Sequence, residues 1–162
     1  MRVIGMLAVL FLALTFTARA AELKVGDQAP EINAKGWINT EAASLAAANK
    51  KIVVVEFWAT WCPPCRTSIP HLVEMNNKFK DKGVVIFGLT NEPMAKVKDF
   101  AAEYKMNYFV GVGSTSGKDY GVGGIPHAFV VAPGGKIVWH GHPMNGLDKA
   151  IEAALKNTPP QG

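Results

Sequence analysis

Two short runs, Ile52–Phe57 (IVVVEF) and Val84–Leu89 (VVIFGL), are apolar at nearly every position and rich in β-branched residues. Strands buried on both faces of a sheet read that way, and their length is that of strands, not helices. Between and after them the period changes. Ile69, Leu72, Val73, Met75 and Phe79 recur at helical spacing from Cys62 to Phe79, with Gly83 to close the segment. Val97, Phe100, Ala101 and Tyr104 mark a second helix over Lys96–Tyr104, and Tyr108–Val112 is a short strand. HAFVV and KIVWH flank APGG, the clearest hairpin in the chain, and a last helix starts after Asn145. The stretch from Val25 to Lys51 is turn-rich and then Ala-rich. It predicts an N-terminal extension with a short helix near Thr40–Ala48. Ser114–Gly124 is loop-like, with one helical turn opening at Asp119–Tyr120. This order predicts an α/β fold: one central mixed β-sheet with helices on both faces. Right-handed crossovers make its first two strands parallel.

Composition sets the class and excludes others. At 162 residues, 49% hydrophobic and 19% charged, the chain has enough apolar surface for one self-supporting core. Its start is different: Arg2, an apolar run from Val3 to Phe16, then Ala18-Arg19-Ala20. That is the layout of an export signal cut after Ala20, and the run falls short of the roughly 20 residues that span a bilayer. The expected division is therefore a signal peptide at residues 1–20 and one domain at residues 21–158. Without Arg2 and Arg19 the net charge falls from +4 to +2. No Lys/Arg block with interleaved aromatics occurs, so nucleic acid is not an expected partner.

The chain has two cysteines, Cys62 and Cys65, in W-C-P-P-C-R. As a staple the pair is badly placed, because a loop over two residues removes little unfolded-state entropy. As a zinc site it lacks the other ligands. Its position at the end of a buried strand and the start of a helix favours a thiolate, through orphan N–H groups and the helix dipole. Cys62 is read as N-cap and Pro63 and Pro64 as the first helical positions, where a missing N–H loses no bond. Residues i and i+3 face each other, so the sulfurs reach one disulfide. This predicts an exposed Cys62 as nucleophile and a tucked-in Cys65 that resolves the mixed disulfide. The Pro-Pro insert adds no positive charge, which points to a less oxidising pair than a histidine insert would give. Pro70, inside the helix, cannot donate to the Arg66 carbonyl.

Glu56 interrupts the first apolar run six positions before Cys62. Strand alternation puts it opposite Val55 and Phe57, on the face that the helix covers. If buried, it would have a raised pKa and take the proton of Cys65. In the other reading it reaches solvent beside a lysine at the sheet margin. Pro126 stands just before a strand, where a turn is required. A cis bond there is left open, because only about 5–6% of X–Pro bonds in folded proteins are cis. His140 and His142 lie at strand spacing and, with His127, raise a metal site, but no pattern links them to the thiols.

GDQAP (Gly26–Pro30), VVVEFWATWCPPCR (Val53–Arg66), Pro70, GIPHAFVV (Gly124–Val131) and GGKIVWHG (Gly134–Gly141) together resemble the thioredoxin superfamily, and within it the exported TlpA/ResA type of disulfide reductase. The resemblance spans nearly the whole chain after residue 20. It implies a thioredoxin-like fold, with Cys62 the nucleophile, Cys65 its partner and Glu56 at the position of the buried acid of thioredoxins. It also implies a cis Pro126 facing the disulfide. Ile125 would offer backbone groups to an extended substrate, with Trp61 and Pro63 beside it. Trp58 and Trp61 resemble the aromatic pair around the family's site. TEAASLAAANKK departs from the family's usual wording before the first buried strand.

The reading is an exported thiol–disulfide oxidoreductase, periplasmic or otherwise extracytoplasmic, monomeric and without cofactor. It would reduce disulfides of envelope proteins, apocytochrome c among the candidates, and be recharged by a membrane thiol donor. The alternatives are a disulfide-forming oxidase and a non-catalytic thioredoxin-like binding module.

Overall fold

Both apolar runs become central strands of one sheet. The computed structural model describes residues 23–158, so the expected signal peptide lies outside the described residues. In chain order the elements are β1 (Gly36–Ile38), β2 (Ile52–Phe57), α1 (Pro63–Phe79), β3 (Val84–Leu89), α2 (Met94–Glu103), β4 (Phe109–Val112), α3 (Ser116–Asp119), β5 (His127–Val131), β6 (Ile137–Gly141) and α4 (Leu147–Asn157). A 3-10 turn, Lys80–Lys82, follows α1, and Gly83 with φ +82° turns the chain into β3. The sheet order is β1-β4-β3-β2-β5-β6. β2, β3 and β4 are parallel to one another; β5 runs antiparallel to β2, β6 to β5 and β1 to β4.

The crossovers β2–α1–β3 and β3–α2–β4 step in the same direction across the sheet. Right-handed connections therefore put α1 and α2 on the same face, and α4 joins them. There Val54, Ile86 and Val130 pack with Ile69, Leu72, Val97 and Ile151. The opposite face buries Val53, Val55, Phe87 and Phe129 under Ala29, Ile32, Leu45 and Ala48 of the N-terminal segment, and under Tyr120 at the end of α3. Helices thus occur on both faces, but three long ones share one side and a single turn serves the other.

Three local expectations change. The Ala-rich stretch forms no helix: residues 45–50 are turns. Glu31 accepts from Leu45 N (2.6 Å) and Ala46 N (3.0 Å), and β2 begins at Ile52, so there is room for one turn only. The helical turn expected to open at Asp119 runs from Ser116 to Asp119 instead. β1 lies in a stretch that the residue pattern leaves irregular; three residues are too few to display alternation, and its partner β4 lies over 70 residues away.

β1 fits only because β4 carries a glycine opposite it. Gly111 pairs with Trp37, and a Cβ there would meet Leu89 Cδ2 at 2.7 Å and Ala34 Cβ and Trp37 Cζ3 at 3.0 Å. Gly111→Ala is expected to lower stability by about 1–3 kcal/mol in urea unfolding through overpacking. Gly123→Ala, where a Cβ meets nothing within 4 Å, is expected to stay within about 0.5 kcal/mol of the parent.

Candidate active site

β2 ends at the centre of the sheet, between a parallel and an antiparallel neighbour, and hands the chain to α1 through Trp58–Cys62. Crevices at the carboxyl ends of strands, where the winding changes direction, are where open α/β sheets bind their ligands. Cys62 is the N-cap of α1, with extended φ/ψ, and Pro63 and Pro64 occupy its first two helical positions. The helix continues through Pro70 to Phe79. Cys62 and Cys65 are disulfide-bonded, with Cα atoms 5.2 Å apart. Cys65 N donates to Cys62 Sγ at 3.3 Å, so the sulfur itself caps the helix.

Cys62 is less accessible than expected. It is 2% exposed and Cys65 is fully buried, so neither sulfur stands out into solvent in the disulfide form. The cover comes from the Ile125–Pro126 corner, whose peptide bond is cis. The Ile125 carbonyl oxygen lies 3.8 Å from Cys62 Sγ. Pro126 is buried, Ile125 half-buried, and Pro63 exposed. Trp61 is 65% exposed, whereas Trp58 is buried and stacked on Phe100 (5.4 Å between centroids). Trp58 is thus a core aromatic and Trp61 a rim one, and both border the cleft beside the site. Beside Trp61 and Ile125 opens a cleft of about 380 Å³, bordered by Thr90, Asn91, Thr115 and Lys118.

Glu56 is fully buried, and neither carboxylate oxygen has a hydrogen-bond partner among the described residues. The reading in which it reaches solvent beside a lysine is thus excluded. It shares the face of Val54 and Trp58 that α1 covers. Burial pushes its pKa up from 4.5 to about 8.

The loop that presents the disulfide is held by residues that sequence reasoning passed over. Glu92, nearly buried, accepts from Thr60 N at 2.7 Å and from Thr60 Oγ1 at 2.8 Å. Arg66 Nε donates to Thr60 O at 2.8 Å from the first turns of α1. Both backbone groups of Thr60 are therefore tied, one from each side of the site. The one sequence signal for Glu92 is an acid three positions past the end of an apolar strand; its partner 32 residues upstream is not visible there. The histidines do not converge on the thiols. His127 Nε2 and His140 Nδ1 are 3.1 Å apart, while His142 Nδ1 accepts from Met144 N past the end of β6. No group of three or more metal-ligating side chains occurs among the described residues.

Comparison with known proteins agrees with this geometry. The AhpC/TSA family model matches residues 25–140. The thiol-disulfide oxidoreductase ResA of Bacillus thuringiensis is 32% identical over 126 residues, 76% of this chain and 72% of that protein. The thioredoxin-like protein YneN of Bacillus subtilis is 28% identical over 127 residues, 76% of this chain and 74% of its own. A thiol:disulfide interchange protein from a Bacteroides species superposes with a TM-score of 0.73 at 30% identity, over 83% of this chain and 91% of that one. The thioredoxin domain of a thiol-disulfide oxidoreductase from Bacteroides vulgatus does so at 0.71 and 28%, over 85% and 99%. The likeness covers the sheet and helices that carry the cysteine pair, not the motif alone. The chain belongs to the AhpC/TSA family, as a thioredoxin-like thiol–disulfide oxidoreductase of the TlpA/ResA type.

Proposed function

We propose that this oxidoreductase works in the reducing direction on disulfides of envelope proteins, apocytochrome c among them, outside the cytoplasm. The observation that carries the reading is the setting of Cys62 Sγ. Its one backbone donor among the described residues is Cys65 N, since the two insert residues are prolines with neither N–H nor charge. A thiolate so modestly stabilised makes the reduced form a good electron donor; strongly oxidising pairs are those whose reduced form is stabilised.

In the cycle, the Cys62 thiolate attacks one sulfur of the substrate disulfide. That bond breaks, and the departing substrate thiolate takes a proton from solvent. Cys65 gives its proton to the Glu56 carboxylate and attacks Cys62 Sγ. The second substrate thiolate leaves, and the Cys62–Cys65 disulfide remains. Two electrons have passed to the substrate. A membrane thiol donor restores the dithiol, and Glu56 returns its proton. The Ile125 backbone beside Cys62, with Pro126, Trp61 and Pro63 around it, supports docking of an extended substrate chain by strand-like pairing. The cleft of about 380 Å³ beside Trp61 supports a place for one of its side chains.

Two measurements test this. The Cys62–Cys65 couple is expected near −200 mV or lower; a value near about −120 mV would make the protein an oxidase. Cys65→Ala is expected to accumulate mixed disulfides through Cys62 in the envelope, with cysteine-bearing substrates identifiable by mass. Capture of nothing there would sink the oxidoreductase cycle.

Glu56 supplies a further prediction. Its folded pKa is raised, so between pH 4.5 and about 8 the native state binds more protons than the unfolded one. Stability then falls as pH rises through that window. Glu56→Gln is expected to remove this fall in chemical unfolding, and to slow the resolving step roughly 100-fold in stopped-flow exchange.

A further inference from the structure

Four buried side-chain atoms lack a hydrogen-bond partner among the described residues: both Glu56 oxygens, Trp58 Nε1 and the Tyr108 hydroxyl. They belong to three side chains that meet over Gly88. A carbon built on Gly88 would lie 2.9 Å from Tyr108 Cε2, 3.2 Å from Trp58 Nε1 and 3.5 Å from Glu56 Oε2. Cε2 adjoins the ring carbon that bears the hydroxyl, so the phenol group borders the same spot. Gly88 is also the register partner of Glu56 on β3. Its missing side chain is what admits an indole and a phenol beside the acid.

The chemistry of the three groups is complementary. An ionised carboxylate only accepts, an indole N–H only donates, and a phenol can donate. Two donors thus stand beside two acceptor oxygens, in a place where buried polar groups are as a rule hydrogen-bonded. The strand neighbours of Glu56 are Gly88 and Ala128, neither ionisable. Burial is the one cause that shifts its pKa, and no cation among the described residues offsets it. Cys62 and Cys65 share this face and, joined as the disulfide, do not titrate; Tyr108 is an ionisable side chain of the same cluster. Tyr108 keeps its proton, because burial and the Glu56 charge both push its ionisation up. Its backbone is fixed from the N-terminal segment: Asn39 Nδ2 donates to Tyr108 O at 2.7 Å and to Met106 O at 2.9 Å.

We infer that Trp58 and Tyr108 are positioning residues for Glu56: their N–H and O–H groups close on its carboxylate and keep the ionised form accessible inside the core. This deepens the reading of Glu56 given above as the proton acceptor of Cys65. Hydrogen bonds to a charged form favour that form, so the donors hold the acid below the value that burial alone would set.

The test is made on the oxidised protein, where Cys65 does not titrate. The carboxylic C=O stretch of Glu56, assigned by its loss in Glu56→Gln, is followed against pH by difference infrared spectroscopy. Tyr108→Phe and Trp58→Phe are each expected to raise the proton affinity of Glu56 at least threefold, with the fold checked by circular dichroism. Titration curves that coincide with the parent's in both variants overturn the inference. Should neither variant fold, the parent decides it. The Trp58 indole N–H resonance is expected to move downfield with the midpoint of the Glu56 band and to lose that step in Glu56→Gln. A resonance indifferent to Glu56 ionisation overturns the inference equally. Failure of the proton-acceptor role shows separately: Glu56→Gln would then resolve mixed disulfides with the parent's pH profile, whatever the infrared titrations show.

Discussion

The site depends on a strand that has no exposed residue. β2 is paired on both sides and covered on both faces, so everything it carries is placed by the core. Three valines, an isoleucine and a phenylalanine provide the apolar burial. That burial is what lets the strand also carry a carboxylate. Raising a pKa from 4.5 to about 8 corresponds to a penalty on the order of 5 kcal/mol for the ionised form. A domain with a net stability of roughly 5–15 kcal/mol tolerates that only with the rest of the strand fully engaged. The neutral acid is nearly free of this penalty, so the cost falls on the carboxylate, the form that the proposed cycle needs to take a proton from Cys65.

The two faces of the sheet do different work for the disulfide. On one, α1, α2 and α4 share a continuous apolar cluster that includes both cysteines. This fixes the helix whose N-terminus holds the sulfurs. On the other, the N-terminal segment and α3 support β5 and the turn before it. Asn39 crosses from that segment to the backbone at Met106 and Tyr108, and Glu92 reaches from the β3–α2 connection to Thr60. Long-range polar contacts thus set the loops, while apolar packing sets the strands and helices. Loops have no core of their own, and buried backbone groups in them must find partners elsewhere.

That division also explains what was legible. The buried strands, the long helices and the hairpin could be read because each repeats a local period over five or more residues. Cys62, Pro63 and Pro64 could be placed at a helix start because capping chemistry is local. Glu56 stood out because one acid broke an apolar run. What could not be read depends on distant partners. β1 needs Gly111, the Thr60 clamp needs Glu92, and the surroundings of Glu56 need Tyr108, which in the sequence is simply the first residue of a strand. The low exposure of Cys62 was missed for the same reason. Its cover is the Ile125 carbonyl, 63 residues on, turned over the sulfur by a cis bond that the residue pattern left open.

The covered sulfur restricts how a substrate reaches it. In the disulfide form Cys62 is 2% exposed, and on the proposed reading a substrate approaches the reduced sulfur along the same ledge. That ledge is backbone at Ile125, half-buried aliphatic side chain beneath it, and the exposed face of Trp61 beside it. On that reading, a chain that lies flat and extended brings a sulfur over Cys62 without first moving the Ile125–Pro126 corner. A disulfide inside a well-folded domain rarely offers such a segment; a newly exported chain whose cysteines have been oxidised before folding does. On the proposed reading, selectivity then comes less from side-chain identity than from whether the substrate is still unfolded. On the same reading, the cleft beside Trp61 would add a preference for one neighbouring side chain, and the backbone ledge would decide which chains enter at all.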